Sequence, residues 1–349
     1  MLQSRVTGLL VNEHHSEPYA EYAAKHDLKL LVFTPEGICW EKRTATGLYL
    51  TRYGVYFKRL PLPKVIYNRL YPHDQRLVDR LLSLSPLIQV FNQVTQFDKW
   101  EIHKMLAATE LAAYLPQTYE FDQATLHQAL SRHGDIIIKP RLGRQGSGLW
   151  RLTALPGDLL LVKPAMPVPV ALPYSDAVMN LFHVLMVPYT MVIQEYIDLA
   201  AADGCHFDMR ALVQKDGCGR WQVTALTSRV AKPQQYITND YQKVAHSEKL
   251  LVEHGFPADA IVGEARTVSV KAAALLEAEL GHLAEISVDL ALGRGKLWII
   301  EVNSKPDKQL YTELKDEQLL EDVYLMPLKY GLYLRKKRRP RRGVLRPIT

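Results

Sequence analysis

Two carboxylates lie inside apolar, strand-type runs near the C-terminus, and they constrain this chain more than any other feature. The runs are Ile286-Ser287-Val288-Asp289-Leu290 and Trp298-Ile299-Ile300-Glu301-Val302-Asn303. Gly293-Arg294-Gly295 between them predicts a hairpin that sets Asp289 opposite Glu301. Glu301 and Asn303 then share a face, because side chains repeat every two residues along a strand. A carboxylate embedded in apolar strands is costly unless a cation or a partner compensates it. Three hard oxygen ligands converging in this way fit Mg2+ that bridges phosphates. A solvent-facing hairpin with ordinary alternation is the alternative that these residues alone leave open.

A second segment suits the same chemistry. Ile136-Ile137-Ile138 runs into Lys139-Pro140-Arg141-Leu142-Gly143-Arg144-Gln145-Gly146-Ser147-Gly148. An apolar strand that delivers a lysine into a glycine loop suits a triphosphate: backbone N–H groups approach the oxygens closely and the ammonium neutralises them. The spacing is not that of a Walker loop, whose lysine ends the loop and precedes a helix. A glycine-bearing hairpin with an exposed lysine is the bland alternative. Met191-Val192-Ile193-Gln194-Glu195-Tyr196-Ile197 is an apolar strand that turns polar at its end. It is suited to present backbone groups to an adenine edge, although by itself it also reads as a plain core strand.

The remaining sequence bounds the molecule. Its 349 residues are 48% hydrophobic, enough for two or three compact units. The net charge of +6 is uneven. Residues 334–349 hold eight of the 43 basic side chains and no acid, which leaves 35 basic against 37 acidic over 1–333. A nucleic-acid-binding body is therefore not indicated, and the basic tail is expected to dock on a polyanionic surface. Cys39, Cys205 and Cys218 are odd in number and lack CxxC spacing, which disfavours a disulfide framework and a zinc site and suits a reducing compartment. The apolar N-terminal run is too short for a signal-peptide core. Asn180, His183, Pro188 and Gln194 interrupt the most apolar stretch, so a cytoplasmic protein without a membrane span is expected. His14-His15 and His206 read as structural, and Lys305 as a substrate contact or a solvated turn lysine.

Residues 1–95 alternate strand and helix signals as an open α/β unit, with a hairpin about Gly54. Asp98–Tyr114 has helical spacing up to Pro116. Further on, helices are predicted over Asp122–Ser131, Ser175–Met186 and Ala258–Leu280, and hairpins over 207–228 and 285–302.

The order of these parts resembles the ATP-grasp superfamily, and more narrowly its YheC/YheD group, whose members are known as endospore coat-associated proteins. The resemblance spans residues 5–330. It rests on Tyr67-Asn68-Arg69, Phe97-Asp98-Lys99, Lys139-Pro140, Gln194-Glu195-Tyr196-Ile197, Asp208-Met209-Arg210 and Glu301-Val302-Asn303-Ser304-Lys305-Pro306 in that order. It implies an N-terminal α/β domain over 1–95, similar to a pre-ATP-grasp domain. An ATP-grasp domain follows over 96–330, with two α+β subdomains clasping ATP, and then the basic tail over 334–349. By the same resemblance Lys99 and Lys139 hold nucleotide phosphates, and Gly143, Gly146, Ser147 and Gly148 form the loop that closes over them. Glu195 and Ile197 form the hinge that meets adenine, and Asp203 is a ribose contact. Asp289, Glu301 and Asn303 ligate Mg2+, while Arg210 and Arg229 stabilise the transferred phosphoryl group. The implied reaction is ligation of a small-molecule carboxylate to an amine through an acyl phosphate, with a link to the spore coat. A kinase of the same fold and a non-catalytic nucleotide-binding coat protein are the alternatives. Many relatives carry a glycine pair where this chain has Asn239-Asp240-Tyr241-Gln242-Lys243-Val244, a departure that bears on substrate contacts.

Overall fold

The computed structural model describes residues 6–14, 18–84, 86–143, 147–164, 169–186, 189–233 and 235–337. Three sheets follow one another along the chain. The first comprises β1 (Val6–Leu10), β2 (Lys29–Cys39), β3 (Thr44–Thr51), β4 (Gly54–Pro61), β5 (Val65–Asn68) and β6 (Gln89–Phe91), with α1 (Tyr19–Lys25) and α2 (Gln75–Leu82) between strands. β1 pairs parallel with β2 and β5, and β5 with β6. These strands are covered on both faces, which is why Leu31-Val32-Phe33 and Val65-Ile66-Tyr67 are unbroken apolar runs. β4 forms the exposed edge, as the expected hairpin about Gly54.

α3 (Lys99–Ala107) then leads toward the second sheet, and Asp98 caps it by accepting from the Trp100 and Glu101 amides. The single helix expected to Tyr114 breaks after Ala107. Thr109 accepts from the Leu111 amide and starts a separate 3-10 turn over Glu110–Tyr114. The second sheet is antiparallel throughout. Its strands are β7 (Thr118–Glu120), β8 (Asp135–Pro140), β9 (Trp150–Leu155), β10 (Leu159–Pro164), β11 (Val170–Pro173) and β12 (Met191–Glu195). The expected helices α4 (Gln123–His133) and α5 (Asp176–Met186) bury Leu126, Leu130, Met179 and Phe182 against Ile136, Ile138 and Ile193.

The third sheet is also antiparallel, built from β13 (Ala201–Ala202), β14 (Cys205–Lys215), β15 (Trp221–Ala231), β16 (Tyr241–His246), β17 (Glu285–Gly293) and β18 (Lys296–Asn303). α6 (Ser247–Glu253) and α7 (Ala258–Leu280) join α3 in its core. The last element, α8 (Glu317–Lys337), was not expected from sequence. Its Val323, Leu325 and Leu328 share a core with Leu9, Val32 and Phe91 of the first sheet and Leu212 and Ala225 of the third. The expected tail therefore begins inside a helix: Leu334 is buried, and residues 338–349 lie outside the described residues.

Candidate functional site

β8 carries Lys139 to the face between the second and third sheets. There its Nζ donates to Gln194 Oε1 (2.8 Å) on the neighbouring β12. Burial pushes this amine down to about 8, with Glu301 opposing the shift and Lys99 adding to it. Lys99, the first residue of α3, donates to the Gly143 carbonyl (3.1 Å) and lies 3.4 Å from Glu301 Oε1. Lys99 thus reaches the loop after β8, whereas Lys139 turns to β12 and to the Ile300 carbonyl (3.5 Å) of β18. Gly148 adopts a φ of +72°, and a Cβ there would stand 3.0 Å from Pro140 Cγ. Gly146 and Arg144 lie outside the described residues.

A cavity of about 110 Å3 opens beside Lys139, walled by Ile137, Glu195, Ile197, Tyr236 and Ile300. Its apolar walls and flat aromatic neighbour suit a heterocyclic base. The Tyr236 hydroxyl donates to the Lys163 carbonyl (2.8 Å), which holds segment 235–240 across this opening. Glu195 accepts from the Gln117 amide (3.3 Å) and pairs with Arg294, whose Nη2 also donates to the Tyr196 carbonyl (3.0 Å).

Strand register assembles an ionic lattice below this cavity. Asp208 pairs with Arg229, Arg210 with Asp289, and Asp289 with Glu301, past a bulge between Asp289 and Leu290. Arg210 grips Asp289 with two hydrogen bonds of 2.7 Å. Arg229 binds Asp208 in two-pronged fashion and donates to Asp289 Oδ2 (3.2 Å). Thr238 donates to Asp208 Oδ2 (2.6 Å). Burial by itself raises the Asp289 carboxyl, but Arg210 and Arg229 outweigh it and bring the value to about 2.

This lattice bears on the expected magnesium ligands. Asp289 does face Glu301, but its oxygens already accept three N–H groups from two arginines. Glu301 keeps 24% of its side chain exposed and lies beside Lys99, and Asn303 lines the adjoining larger cavity with it. No cluster of three or more His, Cys, Asp or Glu side chains suited to a metal occurs among the described residues. Glu301 and Asn303 fit an ion that takes most of its remaining ligands from phosphates and water.

The larger cavity, about 530 Å3, shares Arg229, Asn239 and Glu301 with the smaller one. It is lined by Arg69 and Tyr71 after β5 and by Lys305 and Asp307 after β18. Asp203 corrects the expectation of a ribose contact. It sits at φ +52° in the tight turn between β13 and β14, with its side chain 74% exposed and 3.8 Å from His254, and lines neither cavity. Asp208, Arg69 and residues 235–238 were given no role from sequence. Asp208 and Arg69 sat in quoted motifs without a visible partner, because their partners lie 21 and 216 residues away.

A sequence profile of YheC/D-like ATP-grasp proteins matches residues 87–334. The chain belongs to this family. It is 28% identical over 324 residues to the endospore coat-associated protein YheD of Bacillus subtilis, covering 88% of this chain and 70% of YheD. The D-alanine–D-alanine ligase of Bacillus anthracis superposes with a TM-score of 0.55 at 13% identity, covering 95% of this chain and 99% of the ligase. The same ligase complexed with ATP gives a TM-score of 0.52 at 12% identity, over 96% of this chain and all of that one. The fold is that of an ATP-grasp protein: an N-terminal α/β unit followed by two α+β subdomains. Among the described residues no helix is long and apolar enough to cross a membrane.

Proposed function

We propose that this ATP-grasp protein is a Mg-ATP-dependent carboxylate–amine ligase. The observation that carries the reading is the convergence of cations about Glu301: Lys99 lies 3.4 Å from it, and Lys139 and Arg229 line the small cavity with it. The small cavity would take the adenine, between Tyr236 and the end of β12. Lys99 and Lys139 would neutralise the phosphates, under the loop that contains Gly143, Ser147 and Gly148. Mg2+ would be held by Glu301 and Asn303, with Asp289 reaching it only through lone pairs that the arginines leave unused. The ion would supply charge neutralisation and alignment of the phosphates.

In-line phosphoryl transfer requires positioning and charge stabilisation more than covalent chemistry. Arg210 and Arg229 are held rigidly by Asp208 and Asp289 at the wall of the large cavity, where they would stabilise the group leaving ATP for a substrate carboxylate. The amine would then displace phosphate from the acyl phosphate. The similarity to YheD supports a link to the spore coat.

The test is incubation with Mg-ATP, pooled carboxylates and hydroxylamine. Ligase chemistry yields ADP and a hydroxamate. A stable phosphorylated product would assign a kinase instead, and ATP binding without ADP release under every pool would assign a non-catalytic binder.

A further inference from the structure

A buried ionic group outside the phosphoryl-transfer lattice borders the large cavity. Arg69 follows β5, and its guanidinium donates to Glu285 Oε1 (2.6 Å), Tyr67 Oη (2.8 Å) and the Pro306 carbonyl (3.1 Å). Lys308 is 3% exposed and pairs with the other oxygen of the same carboxylate (2.7 Å). Buried Lys308 and the 13% exposed Arg69 side chain therefore share one buried anion. Buried charge without compensation is strongly unfavourable. Burial pushes the Lys308 amine down to about 8, and Arg69 adds to the shift against Glu285, as expected where positive charge is in surplus.

Of the two cations only Arg69 lines the cavity. Lys305 lines it too, with its Nζ 5.8 Å from the Tyr71 ring centroid. Three acids also border the cavity: Glu301 lies 3.4 Å from Lys99, Asp307 accepts from the Gln309 amide of its own loop, and Glu313 accepts from the Tyr241 hydroxyl. The cations at the reacting end, Arg210 and Arg229, come from the third sheet and already have Asp208 and Asp289. Arg69 comes from the N-terminal unit, and its group lacks one negative charge.

We infer that Arg69, with Lys305, forms an anion subsite for a second carboxylate of the substrate, so that the substrate is a dicarboxylic compound activated at one carboxylate and held by the other. This rests on the ligase reading for which carboxylate reacts. A guanidinium binds a carboxylate in two-pronged, directional fashion, so such a handle would orient the substrate as well as bind it. A volume of about 530 Å3 exceeds what one amino acid fills and leaves room for the amine partner.

The experiment uses the full chain with matched probes: amino dicarboxylates, simple diacids and acidic dipeptides, each against the monoamide lacking one carboxylate. Binding is measured by calorimetry without nucleotide, and ADP release is measured separately with Mg-ATP. The expected result is at least one acid that binds about a hundredfold more tightly than its monoamide, with the difference lost in Arg69→Gln and partly kept in Arg69→Lys. Arg69→Gln leaves Glu285 paired with Lys308 and the buried group neutral, so it should fold; circular dichroism checks this. Equal binding of acid and monoamide, no binding of any acid at millimolar concentration, or a preference that survives Arg69→Gln would overturn the subsite. An Arg69-dependent preference without ADP release would keep the subsite and sink the ligase reading. ADP release driven equally by acids and monoamides would do the reverse.

Discussion

Burial holds the Lys139 amine at about 8, so the phosphate contact proposed for it would be present below that pH and lost as the pH rises through it. ATP affinity of the free protein should fall over that range. Lys139→Arg, which stays charged, should remove the inflection in calorimetric titrations against pH. Asp289 has the opposite sign. Its carboxyl is lowered from the ordinary 3.8 to about 2, so its stabilisation is complete above 3.8 and drains away as pH falls toward 2. Urea midpoints against pH should show that slope in the wild type and lack it in Asp289→Asn. Arg229→Lys separates two roles of one side chain. Lysine cannot keep the two-pronged grip on Asp208 together with the bond to Asp289, and each charged hydrogen bond lost costs about 1.5–3 kcal/mol. ADP release should drop about a hundredfold, and the urea midpoint should fall with it. Turnover lost at unchanged stability would show that Arg229 acts on the phosphoryl group alone.

At the scale of elements, the β17–β18 hairpin both carries the acidic residues and props the Ile197 wall of the small cavity. A Cβ on Gly293 would stand 2.6 Å from the Asp198 carbonyl and from Ile197 Cγ2. Gly293→Ala must therefore displace the segment after β12, at a cost of about 1–3 kcal/mol, and should weaken ATP binding. Gly295, at φ +77° with open space around it, is the control. Gly295→Ala should cost about 1 kcal/mol of backbone strain and leave ATP affinity alone, which the same titrations would check. This hairpin was legible because turn residues and apolar alternation are local signals. The break in α3 was not legible, because the Thr109 cap competes with a helical pattern that runs on through Leu111.

At the scale of the whole molecule, α8 and the Arg69–Glu285–Lys308 group join the first sheet to the third. A chain ending at Asp316 lacks the helix that buries Val323, Leu325 and Leu328, and its N-terminal unit should lose cooperative unfolding by calorimetry. A chain ending at Lys337 should keep its melting temperature and ATP turnover but bind heparin less tightly at moderate salt. Equal heparin retention would show that the basic residues beyond Lys337 contact no polyanion. The sequence by itself determined the strands that carry Lys139, Asp289 and Glu301, because apolar alternation and turn residues act over two to four residues, and it determined the family through six short motifs in order. It could not show that Asp289 is held by two arginines, that Asp203 points to solvent, that α8 closes the N-terminal core, or that Arg69 and Lys308 share Glu285. Each of those depends on which side chains meet across residues far apart in the chain, and only the packing of three sheets into one structure decides that.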